Sequence, residues 1–469
     1  MKCLWSPLLA VGSVSGLLFS CSSSDEPGAK SSSGAATAGY LSGSRLRAGV
    51  DLADQAKSFT HWRDTTLNVD CEFRTASDGA TRCMPMSNGY IEFGDAACTT
   101  RVAVFYPDTP VTPYIVDPAP TFTCGMGDPY RATGATVSIS KLYYDNNGTC
   151  MQDADPQPGM TMVELGDVVD PTTFAEASPD RETRDDRLSA NVLATGDGAR
   201  QVVSFYDLTR AADCATLDDQ MDHYACVPTN LAYIERYFAD DACLEPVAYH
   251  PGYANQVCMQ GPTIVLDASG TTKTVTYYEV GAKFDGSVYE DAGMCQLSNI
   301  SSELDATFYA VGAPAPWSSF PPLTRTDEGE GRIKLVTLRG PTGDFIASQG
   351  FFDSEKDTLC YPQVAADQKQ RCLPATIFSL NLFADDQCTQ ALMDLPPGSE
   401  APVQGSFVAA NTNGGGRAVF TFGTKITPPA TVWQFNADCQ PASVAPGDDV
   451  YDTVPVLPSA FVEVTSEVE

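Results

Sequence analysis

Twelve cysteines fall into three sets of four at a spacing of about 145 residues. Cys71, Cys214 and Cys360 share one position, and Cys83, Cys226 and Cys372 a second. Cys98, Cys243 and Cys388 fill a third, and Cys150, Cys295 and Cys439 a fourth. The first two positions are 12 residues apart in every set, and the last two are 52, 52 and 51 apart. Self-similarity on this scale means one supersecondary unit used three times, so the folding question shrinks to that of a single copy.

Other residues keep step. An aspartate precedes the first cysteine by seven positions in each copy (Asp64, Asp207, Asp353), behind Trp62, Phe205-Tyr206 and Phe351-Phe352. A proline follows the second cysteine by two (Pro85, Pro228, Pro374). The third cysteine closes an F-x-D-x-x-C turn carrying Asp95, Asp240 or Asp385. Each copy ends on a proline shortly before a phenylalanine: Pro171 and Phe174, Pro316 and Phe320, Pro458 and Phe461. These marks set the copies at 45–176, 186–322 and 331–463. Charged linkers such as Asp180-Arg181-Glu182 and Asp327-Glu328-Gly329-Glu330 join them.

Within a copy, short runs rich in β-branched and aromatic residues, such as 201–206 and 274–278, alternate with Gly, Asp and Pro clusters. That rhythm predicts an all-β chain of short antiparallel strands. Only Leu231 to Arg236 carries a trace of helical periodicity. About 130 residues per copy accommodate two four-stranded sheets. Three copies then make six, read as a six-bladed propeller-like ring, with three β-sandwich beads on a string as the alternative. Short linkers favour the ring, because radial closure leaves few exposed strand edges.

The amino terminus reads as an export signal. Residues 1–20 hold Lys2 and an apolar run from Leu8 through Phe19, too short to span a bilayer but of signal-peptide length. The run closes on Leu18-Phe19-Ser20-Cys21, which resembles the lipobox of bacterial lipoproteins and implies cleavage before Cys21 and acylation of that cysteine. Residues 21–44, rich in Ser, Gly and Ala, read as a flexible tether. Ser22 behind the lipidated position resembles lipoproteins sorted to an outer membrane, so the expected location is the cell envelope, lipid-anchored at the outer membrane.

Three further marks are Arg82-Cys83-Met84-Pro85, Arg371-Cys372-Leu373-Pro374 and the Phe-Ala-Asp-Asp runs before Cys243 and Cys388. With the lipobox, they make the chain resemble cysteine-rich repeat lipoproteins of unassigned function from predatory gliding bacteria. The middle copy departs from the first signature, with Ala225 in place of arginine. The resemblance implies location and fold and brings no activity.

Of 16 cysteines, Cys3 leaves with the signal and Cys21 takes lipid, and the remaining even number in an exported chain reads as disulfides. The third copy holds only the four shared cysteines. Its pairing is expected to be Cys360 with Cys372 and Cys388 with Cys439, repeated by symmetry as Cys71 with Cys83, Cys98 with Cys150, Cys214 with Cys226 and Cys243 with Cys295. Cys124 and Cys258 either bridge the first two copies or stay as thiols.

Chemistry is sparse. Lys and Arg total 28 against 60 Asp and Glu, a formal charge of −32, which argues against a nucleic-acid partner. Three histidines (His61, His223, His250) are too few for a multi-histidine metal centre. Asp95, Asp240 and Asp385 recur threefold, whereas paired catalytic carboxylates need unlike environments at one site, so these read as turn residues. Trp62, Tyr206 and Phe352 read as core aromatics. His223 and His250 read as loop histidines. Asp145-Asn146-Asn147-Gly148 and Asp153-Ala154-Asp155 miss the EF-hand pattern, because Cys150 stands where its glycine belongs. P-loop, H-E-x-x-H and G-x-S-x-G motifs are absent. No catalytic, cofactor or metal residue is assigned. The expected function is a non-enzymatic envelope module that binds a protein or glycan or serves structurally, and the alternative is a glycan-directed hydrolase on a propeller scaffold.

Overall fold

The computed structural model describes residues 39–469 except 108, 119–124, 147, 154, 184–185, 220–222, 252–260, 268–274, 292, 299–305, 342–345, 376–378, 381, 397–398, 400–401, 412–415, 430 and 437. Cys21, Cys124 and Cys258 lie outside the described residues.

The described chain is all-β, broken only by three single-turn 3₁₀ helices. Each copy opens with a four-stranded antiparallel meander. In copy one it runs through Leu46–Ala53, Ala56–Asp64, Val69–Thr75 and Thr81–Pro85. In copy two the strands are Leu188–Thr195, Arg200–Asp207, Ala212–Asp218 and Tyr224–Pro228. Copy three uses Ile333–Arg339, Ile346–Asp353, Thr358–Val364 and Gln370–Pro374. The first hairpin bears a register shift at the same place in all three, after Gly49, Asn191 and Val336. A bulge kept at one address kinks all three strands alike.

Strand alternation decides which aromatic is buried. Trp62, Phe205 and Phe351 face the core and are at most 1% exposed. Tyr206 and Phe352, expected in the core, are one residue out of phase and lie half-buried on the opposite face. There Arg181 stacks 3.4 Å over Tyr206, and Arg325 lies 5.2 Å from the Phe352 ring centre.

Of the stretches read as charged linkers, Asp180-Arg181-Glu182 lies within a strand, and Asp327-Glu328 ends one, with Gly329-Glu330 in the turn that follows. Ala177–Thr183 pairs with Leu188–Thr195, and Pro322–Glu328 pairs with Ile333–Arg339. The last strand, Val464–Val468, returns to pair with Leu46–Ala53. Each of these fifth strands also starts against the last meander strand of its own copy. The contacts are Arg82 with Glu176, Tyr224 and Ala225 with Leu323 and Pro322, and Arg371 with Glu463. Every copy therefore completes the sheet of the next, and the third completes the first. The chain closes on itself, which separate beads would not do. Charge did not prevent strand formation, because alternate residues of these strands face solvent.

The second half of each copy is a second sheet with one strand order. In copy two, Leu231–Phe238, Pro246–His250, Thr307–Pro314, Thr276–Phe284 and Ile264–Asp267 follow one another, and the last pairs in parallel with the first. That closes a five-stranded barrel. The trace of helical periodicity at Leu231 to Arg236 thus lies in a strand, whose buried Ala232, Ile234 and Tyr237 reflect packing inside the barrel. Copy three repeats the order, with Ser379–Leu380 pairing in parallel with Phe407–Asn411. In copy one no closing pair is found among the described residues. A hairpin is attached to the first barrel strand of each copy: Tyr143–Asn146 with Thr149–Gln152, Tyr289–Asp291 with Cys295–Leu297, and Val432–Asn436 with Asp438–Ala442. Two sheets per copy are present, but of unequal size, five strands in the ring and seven or eight in the barrel and its hairpin.

Among the described residues, six disulfides staple this plan. Cys71–Cys83, Cys214–Cys226 and Cys360–Cys372 lock the last two meander strands, and all six of these cysteines are buried. Cys98–Cys150, Cys243–Cys295 and Cys388–Cys439 tie the hairpins to the barrels and are half-exposed. The end of the expected tether is also ordered. Tyr40–Leu41 pairs with Gln201 and Arg200, and the Tyr40 ring is buried against Phe59, because an aromatic inside a Ser/Gly/Ala stretch has apolar area to hide.

Candidate functional site

The repeated aspartates explain themselves locally. Asp64 accepts the Arg45 guanidinium through Nε (3.0–3.1 Å) and Nη2 (2.7 Å), and the Thr66 and Leu67 amides of the following turn. Arg45 Nη2 also donates to Thr173 O, at the end of the 3₁₀ helix Pro171–Thr173. Copy three matches it: Asp353 takes Arg332 at 2.8 and 2.6 Å, and Arg332 donates to Ala460 O. The Pro-to-Phe motif thus supplies the 3₁₀ turn that meets the arginine, and it buries Phe174, Phe320 and Phe461 under that turn. Asp, Arg and turn form one buttress between ring and barrel.

Asp95, Asp240 and Asp385 are turn residues of another kind. Asp95 accepts from the Ala97, Thr99 and Thr100 amides, and Asp240 from the Leu244 and Glu245 amides. Asp385 accepts from the Gln387, Thr389 and Gln390 amides. Hydrogen bonds led by Thr100 hold the Asp95 carboxyl down at about 2. The turn drives Cys98, Cys243 and Cys388 to positive φ of 51–52°, which presents each thiol to its hairpin.

Symmetry breaks in copy two. Asp207 is fully buried, yet its Oδ2 has no hydrogen-bond donor among the described residues, and Arg187 Nη2 stands 3.7 Å away. Arg187 keeps the contact with the turn, donating to Ser319 O as Arg45 and Arg332 donate to Thr173 O and Ala460 O. Three residues after Asp207 stands Arg210, where the other copies have Leu67 and Lys356. Arg210 grips Glu279 with two bonds of 2.8 and 2.7 Å. By strand register Glu279 corresponds to Ala132 and Thr421, so the pair belongs to this copy alone. The Arg210 bonds hold Glu279 below its ordinary value. Ala225, which replaces the signature arginine, is buried in the same copy. In the others Arg82 and Arg371 reach the Phe174 and Phe461 carbonyls.

Between the ring and barrel of copy two these residues line a cleft of 390 Å³: Arg187, Arg210, Glu279, Thr209, Thr263 and Ser319. Its lining is guanidinium, carboxylate and hydroxyl, with two cations balanced by Asp207 and Glu279. It presents donors and acceptors around a charge-balanced space. Glu279 is fastened to Arg210 and favours its ionised form, which disposes it to accept hydrogen bonds rather than to donate a proton. Sequence reading passed over Arg210 and Glu279, although aligning the copies exposes Arg210 as a singular residue.

The histidines stand apart from this cleft. His223 is exposed and contacts Asp219 at 2.8 Å. His250 ends a barrel strand, where burial pushes its pKa down. Among the described residues no three His, Cys, Asp or Glu side chains are grouped to hold a metal ion. Asp145 accepts the Gly148 amide in a hairpin turn. No helix among the described residues is long and apolar enough to cross a membrane. The six disulfides indicate an extracellular or envelope protein, since such bonds persist in oxidising compartments.

No curated protein and no solved structure matches the chain. One family model does, over residues 32–459, which takes in all three copies of the repeat. On that match, the chain belongs to DUF7481, a family of unknown function.

Proposed function

We propose that the protein is a non-enzymatic binding module of the cell envelope, held at the outer membrane by lipid on Cys21, whose copy-two cleft takes an uncharged, hydroxyl-rich ligand of the saccharide class. The observation that carries this reading is the break in symmetry. The Arg–Asp contact of the buttress, a hydrogen bond in copies one and three, is lengthened to 3.7 Å in copy two, and the space beside it is lined by an arginine–glutamate pair peculiar to that copy. Fixed donors and acceptors with balanced charge suit sugar hydroxyls, which hydrogen-bond in both directions. The lipobox at Cys21 supports the anchor: several acyl chains hold a protein on a membrane that one chain holds only weakly. Hydrolysis has less support, because an acid catalyst needs a raised pKa and Glu279 has a lowered one.

One preparation tests both parts. Cys21→Ser is expected to move the protein from the membrane to the soluble fraction. The released protein is then applied to a glycan array beside its Glu279→Gln form. Glycan binding lost in Glu279→Gln supports the cleft. Continued sedimentation with membranes would sink the anchor, and an array with no signal, or one that Glu279→Gln leaves unchanged, would sink the ligand class.

A further inference from the structure

Copy one carries a different cleft at its own junction of ring and barrel, with a volume of 340 Å³. One side is apolar: Pro85 and Met86 at the end of the meander face Val111 and Pro113 of the loop that precedes barrel strand Tyr114–Val116. The other side holds His61, Arg63 and Asp70. Arg63 Nη1 donates to Asp70 Oδ1 at 2.9 Å, and His61 Nε2 lies 3.3 Å from the same oxygen.

The two basic side chains are held more firmly than the acid. Thr60 Oγ1 donates to Gly49 O at 3.0 Å, so its lone pair faces His61 Nδ1 at 2.9 Å and Nε2 is left toward Asp70. The imidazole lies flat on Gly49, where an added Cβ would stand 2.5 Å from the ring. The matching cross-strand pairs are Asn191 with Ser204 and Val336 with Gly350. Only copy one couples a glycine to a histidine. Arg63 Nη2 is fixed on Asn68 Oδ1 at 2.5 Å. The His61 and Arg63 side chains are 23% and 27% exposed, while Asp70 is 47% exposed.

We infer that this cleft binds a carboxylate attached to an aromatic body. The ligand's carboxylate replaces that of Asp70 on Arg63, beside His61, and its ring lies between the proline faces and Met86, whose sulfur favours aromatic contact. The same chemistry is offered by a free aryl carboxylate and by a polypeptide ending in an aromatic residue.

Titration calorimetry on the full chain tests it with three probes: N-acetylphenylalanine, its amide, and the peptide Ala-Ala-Phe with a free carboxyl end. The acid should bind at least tenfold tighter than the amide. Arg63→Gln and Gly49→Ala should each weaken the acid at least fivefold. Asp70→Asn, which removes the internal competitor, should bind it at least as tightly as the parent, and that variant keeps the test decisive if Gly49→Ala fails to fold. Tighter binding of the peptide than of acetylphenylalanine assigns the site to chain ends, and equal binding assigns it to small molecules. Equal affinity for acid and amide, no heat with any probe at millimolar concentration, or weaker binding by Asp70→Asn overturns the inference.

Discussion

Asp64, Asp207 and Asp353 occupy one position in three copies, and their surroundings differ in how closely an arginine approaches: 2.7, 3.7 and 2.6 Å. All three arginines bond the carbonyl of the 3₁₀ turn, but Arg45 and Arg332 also hydrogen-bond their aspartates, whereas Arg187 stands 3.7 Å off and Asp207 Oδ2 has no donor among the described residues. Removing one partner of a buried ion pair leaves the other uncompensated. Asp64→Asn and Asp353→Asn should therefore each cost roughly 3 kcal/mol, at the lower end for such losses because both arginines keep some solvent contact. Asp207→Asn should cost about 1 kcal/mol, since fewer hydrogen bonds are lost. Urea titrations of the three variants check the ranking; a loss for Asp207→Asn equal to the others would contradict it. The aspartates were visible in sequence as a repeated position. Their partners were not, because Arg45 and Thr173 lie at opposite ends of a copy and only folding brings them together.

At the scale of elements, two disulfide classes divide the labour. Ring disulfides are buried beside Trp62 and its equivalents, while barrel disulfides sit half-exposed at hairpin tips. With limiting reductant, Cys98–Cys150, Cys243–Cys295 and Cys388–Cys439 should open before the ring set, as mass mapping of alkylated peptides would record. Ring cysteines labelled first would argue that burial does not govern access. In the chain-entropy description the barrel set also closes the longer loops, about 4 kcal/mol each against about 3 for the ring set. This framework was legible because regular cysteine spacing survives any surface change. The strands at 177–183 and 322–328 were misread as linkers because charged residues on a solvent face look like loop residues.

At the scale of the whole molecule, ring closure depends on contacts far apart in sequence. Val464–Val468 completes the first meander, Lys57 bridges Glu467 and Glu469, and the Tyr40 hydroxyl donates to Glu469. Hairpin carboxylates grip the strand starts of neighbouring copies: Asp197 accepts the Arg45 and Leu46 amides, and Asp54 accepts the Arg332 amide. Burial alone would raise the Asp197 carboxyl, but hydrogen bonds from Thr195, Leu46, Arg45 and Ala199 outweigh it and hold it below its ordinary value. A carboxyl depressed in the folded state adds stability above its unfolded pKa near 4. That contribution is lost as pH falls through the lower folded value. Asp197→Asn should thus lower the melting temperature at pH 7 and narrow its gap from the parent below pH 4. A gap that stays constant from pH 7 to pH 3 would rule the clamp out.

Length of repeat, β character and the spacing of the disulfide framework were determined by the sequence alone, since they rest on local alternation and on covalent chemistry that each copy carries within itself. Which sheet each fifth strand would join, and which arginine would face which carboxylate, was decided only by the tertiary structure. Backbone donors and acceptors along a strand edge are the same in every sequence, so the partner is chosen by three-dimensional packing. The two clefts arise where that packing lets one copy differ from its neighbours.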